Sequence, residues 1–173
     1  EIDECLKIFD PLKELITNTF DEHIKTFLEQ YNAIPDYNKY TFFIEKIRSF
    51  ERYTATIPDK IQYSMFAIDT RETKKELIEK LSANMFSLMH SLEEEIMHNY
   101  DINIEKFGEL IKMIDIKLTT PEELVEMEQK TKVKVGSELS IVHRRFEDAY
   151  KIYIFLIKIG HFFTDDLIGK TVE

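Results

Sequence analysis

The chain has 173 residues, is 43% hydrophobic and 32% charged, and carries a net charge of −10 at pH 7. That length fits one domain or a piece of a larger one. The acidic balance argues against nucleic acid, where a basic face supplies most of the affinity, and against binding to anionic lipid.

Only 4 Gly and 4 Pro are present, so turns are few and helices long, each with one buried and one wet face. The single cysteine, Cys5, leaves no internal disulfide and fits a reducing compartment. The opening "EIDECLKIF" is acidic and does not read as a signal peptide. The apolar run "IYIFLIKIGHFF" is short of a membrane span and is cut by Lys158. The first residue is not Met and the end has no clear cap, so the expectation is a helical segment, 1–173, of a larger chain.

In chain order, residues 1–33 read as helix. Leu12, Leu15, Ile16, Phe20, Ile24, Phe27, Leu28 and Tyr31 form a three-and-four stripe. Pro11 after Asp10 marks either a start or a kink. "NAIPDYN" is a turn, and a second helix spans about Asp36 to Tyr53, with Tyr40, Phe43, Ile44, Ile47 and Phe50 inside. Residues 1–54 thus form a first helical hairpin.

Residues 55–69 break the helical spacing. In "IPDKIQYSMFAIDT" the apolar residues Tyr63, Met65 and Ile68 fall roughly two apart, which reads as an extended crossover near residues 57–69. A third helix starts at "DTRETKKEL", with Asp69 or Thr70 as its cap. Its stripe runs Leu77, Leu81, Met85, Leu88, Leu92 and Ile96, then Tyr100, Ile104, Phe107, Ile111, Ile114 and Leu118, and "NYDIN" is a candidate break near residue 101.

"TTPEELVEM" is a capping box, with Thr120 as cap, Pro121 in the first turn and Glu123 three residues on. The helix it opens spans about 39 residues, near 58 Å at about 1.5 Å per residue. Its seam is Leu124, Glu128, Thr131, Val135, Leu139, Val142, Phe146, Ala149, Tyr153, Leu156 and Gly160. Residues 70–160 read as one long antiparallel hairpin, with Ile111, Ile114 and Leu118 against Leu124 and Val135, and 161–173 as a C-terminal tail. The fold class expected is all-α: an elongated antiparallel, coiled-coil-like helical bundle.

Chemistry is sparse. Glu95 and His98 have the Glu-x-x-His spacing of di-iron bundles, but no second copy exists. "IGKT" at 168–171 lacks the earlier glycine of a phosphate-binding loop, and Thr164 stands in its place. Cys5 has no evident His partner. His143, Arg144 and Arg145 make a small basic spot, read first as ion pairing with a neighbouring helix and second as a docking contact. Phe42–Phe43 and Phe162–Phe163 read first as core and second as partner-binding. No catalytic, cofactor or metal site is expected.

One succession carries a resemblance. "YTFFIEKIRSFERYTATIPDKIQYSMFAIDTRETKKELIEKL" followed by "FGELIKMIDIKLTTPEELVEMEQ" resembles the N-terminal tail, or stem, of dynein heavy chains, axonemal ones above all, ahead of the linker and motor ring. The likeness covers roughly residues 40–160. It departs from the family where "IKLTT" replaces the usual proline before the "TPEEL" turn, and the nucleotide-binding modules and stalk are absent. It implies a mechanical segment of a microtubule motor in the ciliary axoneme, with no catalysis, cofactor or nucleotide of its own. Its partners would be other parts of the heavy chain, dynein intermediate and light chains, or neighbouring heavy chains. In such a stem the extended piece bridges successive bundles, with Tyr63 and Phe66 as plugs between them. The alternative is a spectrin-like or coiled-coil scaffold unrelated to motors.

Overall fold

The computed structural model describes residues 6–30, 36–63, 65–115 and 120–161. The expected all-α bundle is borne out. A 3-10 helix, Lys7–Leu12, leads into α1 (Lys13–Ile16), α2 (Thr19–Glu29) and α3 (Tyr37–Thr56). Strands β1 (Lys60–Tyr63) and β2 (Phe66–Asp69) follow, then the long helices α4 (Arg71–Ile114) and α5 (Pro121–Lys158). The chain divides into two compact units, Glu1–Ser91 and Leu92–Glu173, and the boundary falls inside α4.

The first unit is built from aromatic packing. Phe20 of α2 meets Phe50 of α3 edge-on at 5.3 Å, and Phe27 meets Tyr40 at 4.9 Å. As the α2 number rises the α3 number falls, so the two helices are antiparallel. Asp21 of α2 accepts from Asn84 Nδ2 of α4 at 2.6 Å, and Asn18 accepts from Lys80. Here both numbers rise together, so α2 and the start of α4 run the same way. Tyr40 and Ser91 share a hydrogen bond at 3.1 Å, and Lys74 donates to the Ile57 carbonyl at 2.7 Å, which sets α3 antiparallel to α4. The expected hairpin over 1–54 therefore has a third helix packed on it, the part of α4 that lies in the first unit.

The helix expected over 1–33 is broken into pieces. Asn18 sits in the left-handed region at φ 59°, a conformation Asn tolerates better than most residues. The Thr17 hydroxyl donates to the Lys13 carbonyl at 2.9 Å, offering the backbone an alternative to the helical ladder. Pro11 lies inside the 3-10 helix rather than at a helix start. Tyr53 Oη ties this segment to α3 by donating to the Ile8 carbonyl at 2.9 Å.

The 57–69 segment is extended as expected, but it turns back on itself. β1 and β2 pair antiparallel, with Lys60 opposite Asp69 and Tyr63 opposite Phe66. Its base is tied down. The Thr70 hydroxyl donates to the Pro58 carbonyl at 2.5 Å, and Lys74 reaches Asp59 at 2.7 Å. Asp69 accepts from the Arg71 amide at 3.1 Å and pairs with its guanidinium at 2.6 Å. The cap of α4 is thus the Asp69 side chain, while Thr70 closes the hairpin.

In the second unit the end of α4 and α5 form an antiparallel hairpin. Glu93 and His161 meet at 2.9 Å, and farther along α4 the Lys106 ammonium feels Glu138 while the Glu109 carboxylate feels Lys134. Helix α4 continues through residue 101 without the expected break. Asn99 donates to the Glu95 carbonyl and carboxylate at 2.9 and 3.0 Å, and burial of Ile96 and Leu110 on either side overrides the weak local propensity.

The start of α5 is as the sequence implies. The Glu123 amide donates to Thr120 Oγ1 at 3.3 Å, and the Thr120 amide donates to the Glu123 carboxylate at 3.2 Å. Its end is a Schellman turn. Gly160 lies at φ 76°, its amide donates to the Ile157 carbonyl at 2.9 Å, and the His161 amide donates to the Leu156 carbonyl at 3.0 Å.

Candidate functional site

The hairpin of the second unit buries a stripe that matches the one the sequence suggests only in part. On α4 one line of buried or half-buried positions is Leu92, Ile96, Asn99, Asn103, Lys106 and Leu110. On α5 a matching line is Val135, Glu138, Val142, Arg145, Ala149, Ile152 and Leu156. Both keep alternating four-and-three steps, the heptad of paired helices. On α4 the expected seam steps one residue aside from this after Ile96; on α5 the expected Val135, Val142, Ala149 and Leu156 coincide with it, while Leu139 and Phe146 fall beside it. As a consequence Ile104, Phe107 and Ile111 on α4, and Leu139 and Phe146 on α5, are exposed. The seam near the turn is corrected likewise: Ile111 and Leu124 are exposed, Leu110 is buried in place of Ile111, and Leu118 lies outside the described residues.

Between the two helices lies a groove of about 380 Å³. Ile96, Tyr100 and Asn103 form one wall, and Phe146, Ala149, Tyr150 and Tyr153 the other. Asn103 is only 7% exposed, and its Oδ1 meets no hydrogen-bond donor among the described residues. Arg145 Nη1 is in the same state. The seam thus carries two buried polar atoms without hydrogen-bond partners among the described residues.

The sequence-derived residues separate. His143 is exposed and pairs along its own helix with Glu147 at 3.3 Å, rather than with a neighbouring helix. Arg144 is exposed, while Arg145 is half-buried. Consecutive helical residues point about 100° apart, so the three do not make one basic patch. Phe66 is 74% exposed and Met65 is 93% exposed, so Phe66 plugs no groove among the described residues. The side chain of Tyr63 lies outside them. Phe43 packs on Phe20 at 6.0 Å and on Phe27 at 5.3 Å, whereas Phe42 is mostly exposed.

Cys5, "IGKT" and Phe162–Phe163 lie outside the described residues. Glu95 bonds Asn99 and His98 is exposed. Among the described residues no group of three or more His, Cys, Asp or Glu is placed to hold a metal ion. No described helix is long and apolar enough to cross a membrane. The groove itself was missed by sequence reasoning. Its signal was the pair of asparagines at 99 and 103, spaced as seam residues but set aside as weak helix formers.

In comparisons with known proteins, no family model matches the chain, and no curated protein or solved structure matches it.

Proposed function

We propose that this chain is a structural segment without catalysis of its own, which assembles with other helices through the second unit. The carrying observation is the outward apolar stripe of α4 and α5. Ile104, Phe107, Ile111, Leu139 and Phe146 are each at least 43% exposed on two adjacent helices. Large apolar side chains left exposed along two helices of one unit point to an interaction surface.

In its finer form the proposal is the stem of an axonemal dynein heavy chain, in the cytoskeleton of the cilium, passing force between the motor and its associated chains. What supports this form is the resemblance of "MFAID…ELIEKL" and "TPEELVEM", and nothing from the comparisons adds to it. The competing scaffold reading has its own support. A three-helix unit whose last helix continues into the next unit is also how spectrin-like repeats are joined.

Two experiments test the structural reading and its finer forms. Calorimetry with ATP should give no heat of binding, and micromolar affinity would sink the structural reading. Reading the gene downstream separates the finer forms. ATPase modules with phosphate-binding loops support the dynein stem, and repeats of this same helical unit support the scaffold.

A further inference from the structure

We infer that the exposed apolar face of α4 and α5 in the second unit docks on the same face of a second copy of this chain, closing a four-helix bundle. The inference rests on the assembly role proposed above and names its partner. Pattern, area and charge carry it.

Each helix has a second apolar line beside the buried one. On α4 it runs Tyr100, Ile104, Phe107 and Ile111, in four-and-three steps. On α5 it runs Leu139, Phe146, Tyr150 and Ile157, at heptad spacing. A two-helix pair needs only one such line on each helix, whereas a helix in a bundle of four needs the wider face. Tyr100, Phe146 and Tyr150 line one groove, so the two lines open on the same side of the hairpin.

Except for the half-buried Tyr100, these side chains are 43–63% exposed. Together they offer roughly 700 Å² of accessible surface, close to the ~800 Å² that each partner buries in a stable dimer. A small molecule in the groove would leave Phe107, Ile111 and Leu139 bare, because none of them lines it.

The face is charge-neutral. At about 100° per residue, Glu94, Asp101, Glu105, Glu109 and Lys112 lie about a quarter-turn or more away from the second line of α4. The same holds on α5 for Lys134, Arg144, Arg145 and Lys151. Glu93, on the α4 side, is buried against His161. On the α5 side Lys132 pairs with Glu128 at 2.6 Å, and His143 lies 3.3 Å from Glu147. A partner chosen for its charge would meet only charges already paired. A symmetric contact sets one patch against itself, and an apolar, neutral patch does so without like charges meeting. The remaining net charge of −10 lies off this face and opposes pairing only at longer range, where salt screens it.

The test is sedimentation velocity on the full chain. The expected species at about 100 μM is two chains of 20.7 kDa each and nothing larger, because a symmetric contact closes at two. Raising the salt should tighten the dimer. Dilution should shift the amide signals of Tyr100, Ile104 and Phe146 in a chain labelled with nitrogen-15, a readout that needs no variant. Phe146→Asp and Ile104→Lys, at positions 61% and 55% exposed, should each weaken the dimer by about tenfold or more with circular dichroism unchanged. Phe66→Asp, on the β-hairpin, should leave it intact.

A single chain at every concentration overturns the proposal. So does a dimer that survives both variants, one that salt weakens, or assembly that runs on past two. None of these outcomes bears on ATP binding, so the partner assignment can fail while the structural reading stands.

Discussion

His161 Nε2 lies 2.9 Å from Glu93 Oε1, joining the end of α5 to the start of the second unit across 68 residues of sequence. Glu93 is 7% exposed, and the left-handed Gly160 turns the chain so that the imidazole reaches it. Replacing His161 with Ala removes this partner from a buried carboxylate. The expected loss is about 1–3 kcal/mol, read by urea denaturation, with faster amide exchange on both sides of the contact. An unchanged midpoint would mean that the pair contributes nothing. Gly160→Val should act in the same direction, because a β-branched residue at φ 76° is strained.

Thr54 offers the opposite sign. It is fully buried between helices, and its Oγ1 has no hydrogen-bond partner among the described residues. Thr54→Val replaces the hydroxyl with a methyl of similar shape and leaves no polar atom to satisfy. Thermal unfolding should shift upward, by about 1 kcal/mol in stability. A downward shift would show that the hydroxyl has a partner the structure does not reveal.

The capping box at Thr120 gives a third test. Its hydroxyl and the Glu123 carboxylate each accept from the other's backbone amide. Thr120→Ala should cost about 1 kcal/mol, and Thr120→Ser much less, because the serine oxygen keeps the acceptor. Exchange of the Glu123 amide should rise in the alanine variant only.

The hairpin base responds to acid. The Arg71 side chain, and then its backbone amide, hold the Asp69 carboxyl down from 3.8 to about 2. Folding therefore lowers this pKa, so its contribution to stability is complete above the unfolded value of 3.8 and is lost as pH falls toward about 2. The site is exposed, so salt weakens the effect. A carboxyl titration followed by NMR should find Asp69 below the other aspartates, and Arg71→Gln should bring it back toward 3.8.

Helix starts were legible because their signals are local. Asp36 accepts from the Lys39 amide at 3.2 Å, and Thr120 works with Glu123, in both cases at fixed short spacing. The hairpin return was not legible. "YSMF" lacks the Gly or Asn that marks tight primed turns, so alternation showed extended chain but not where it reverses. The seam of the second unit was misread on α4 for a physical reason. Apolar residues stand at both Ile104–Phe107–Ile111 and the neighbouring stripe, and periodicity alone cannot say which of two adjacent stripes a given partner covers. Burial chose the one containing Asn99, Asn103 and Lys106. The break at Asn18 had only the polar run Thr17–Asn18–Thr19 as its sign, too weak to outweigh the stripe around it.

The boundary between the units falls at Ser91–Leu92, in mid-helix, and no loop exists there for a protease to enter. Separating the units by a cut at that bond would strand four carbonyls on one piece and four amides on the other, each then in need of water or a new cap. It would also part Leu92, fully buried, from the turn that precedes it. Neither half is thus a ready-made module. Anyone dividing this protein for study must give each half a new helix end, and evolution, shuffling such pieces, faces the same requirement.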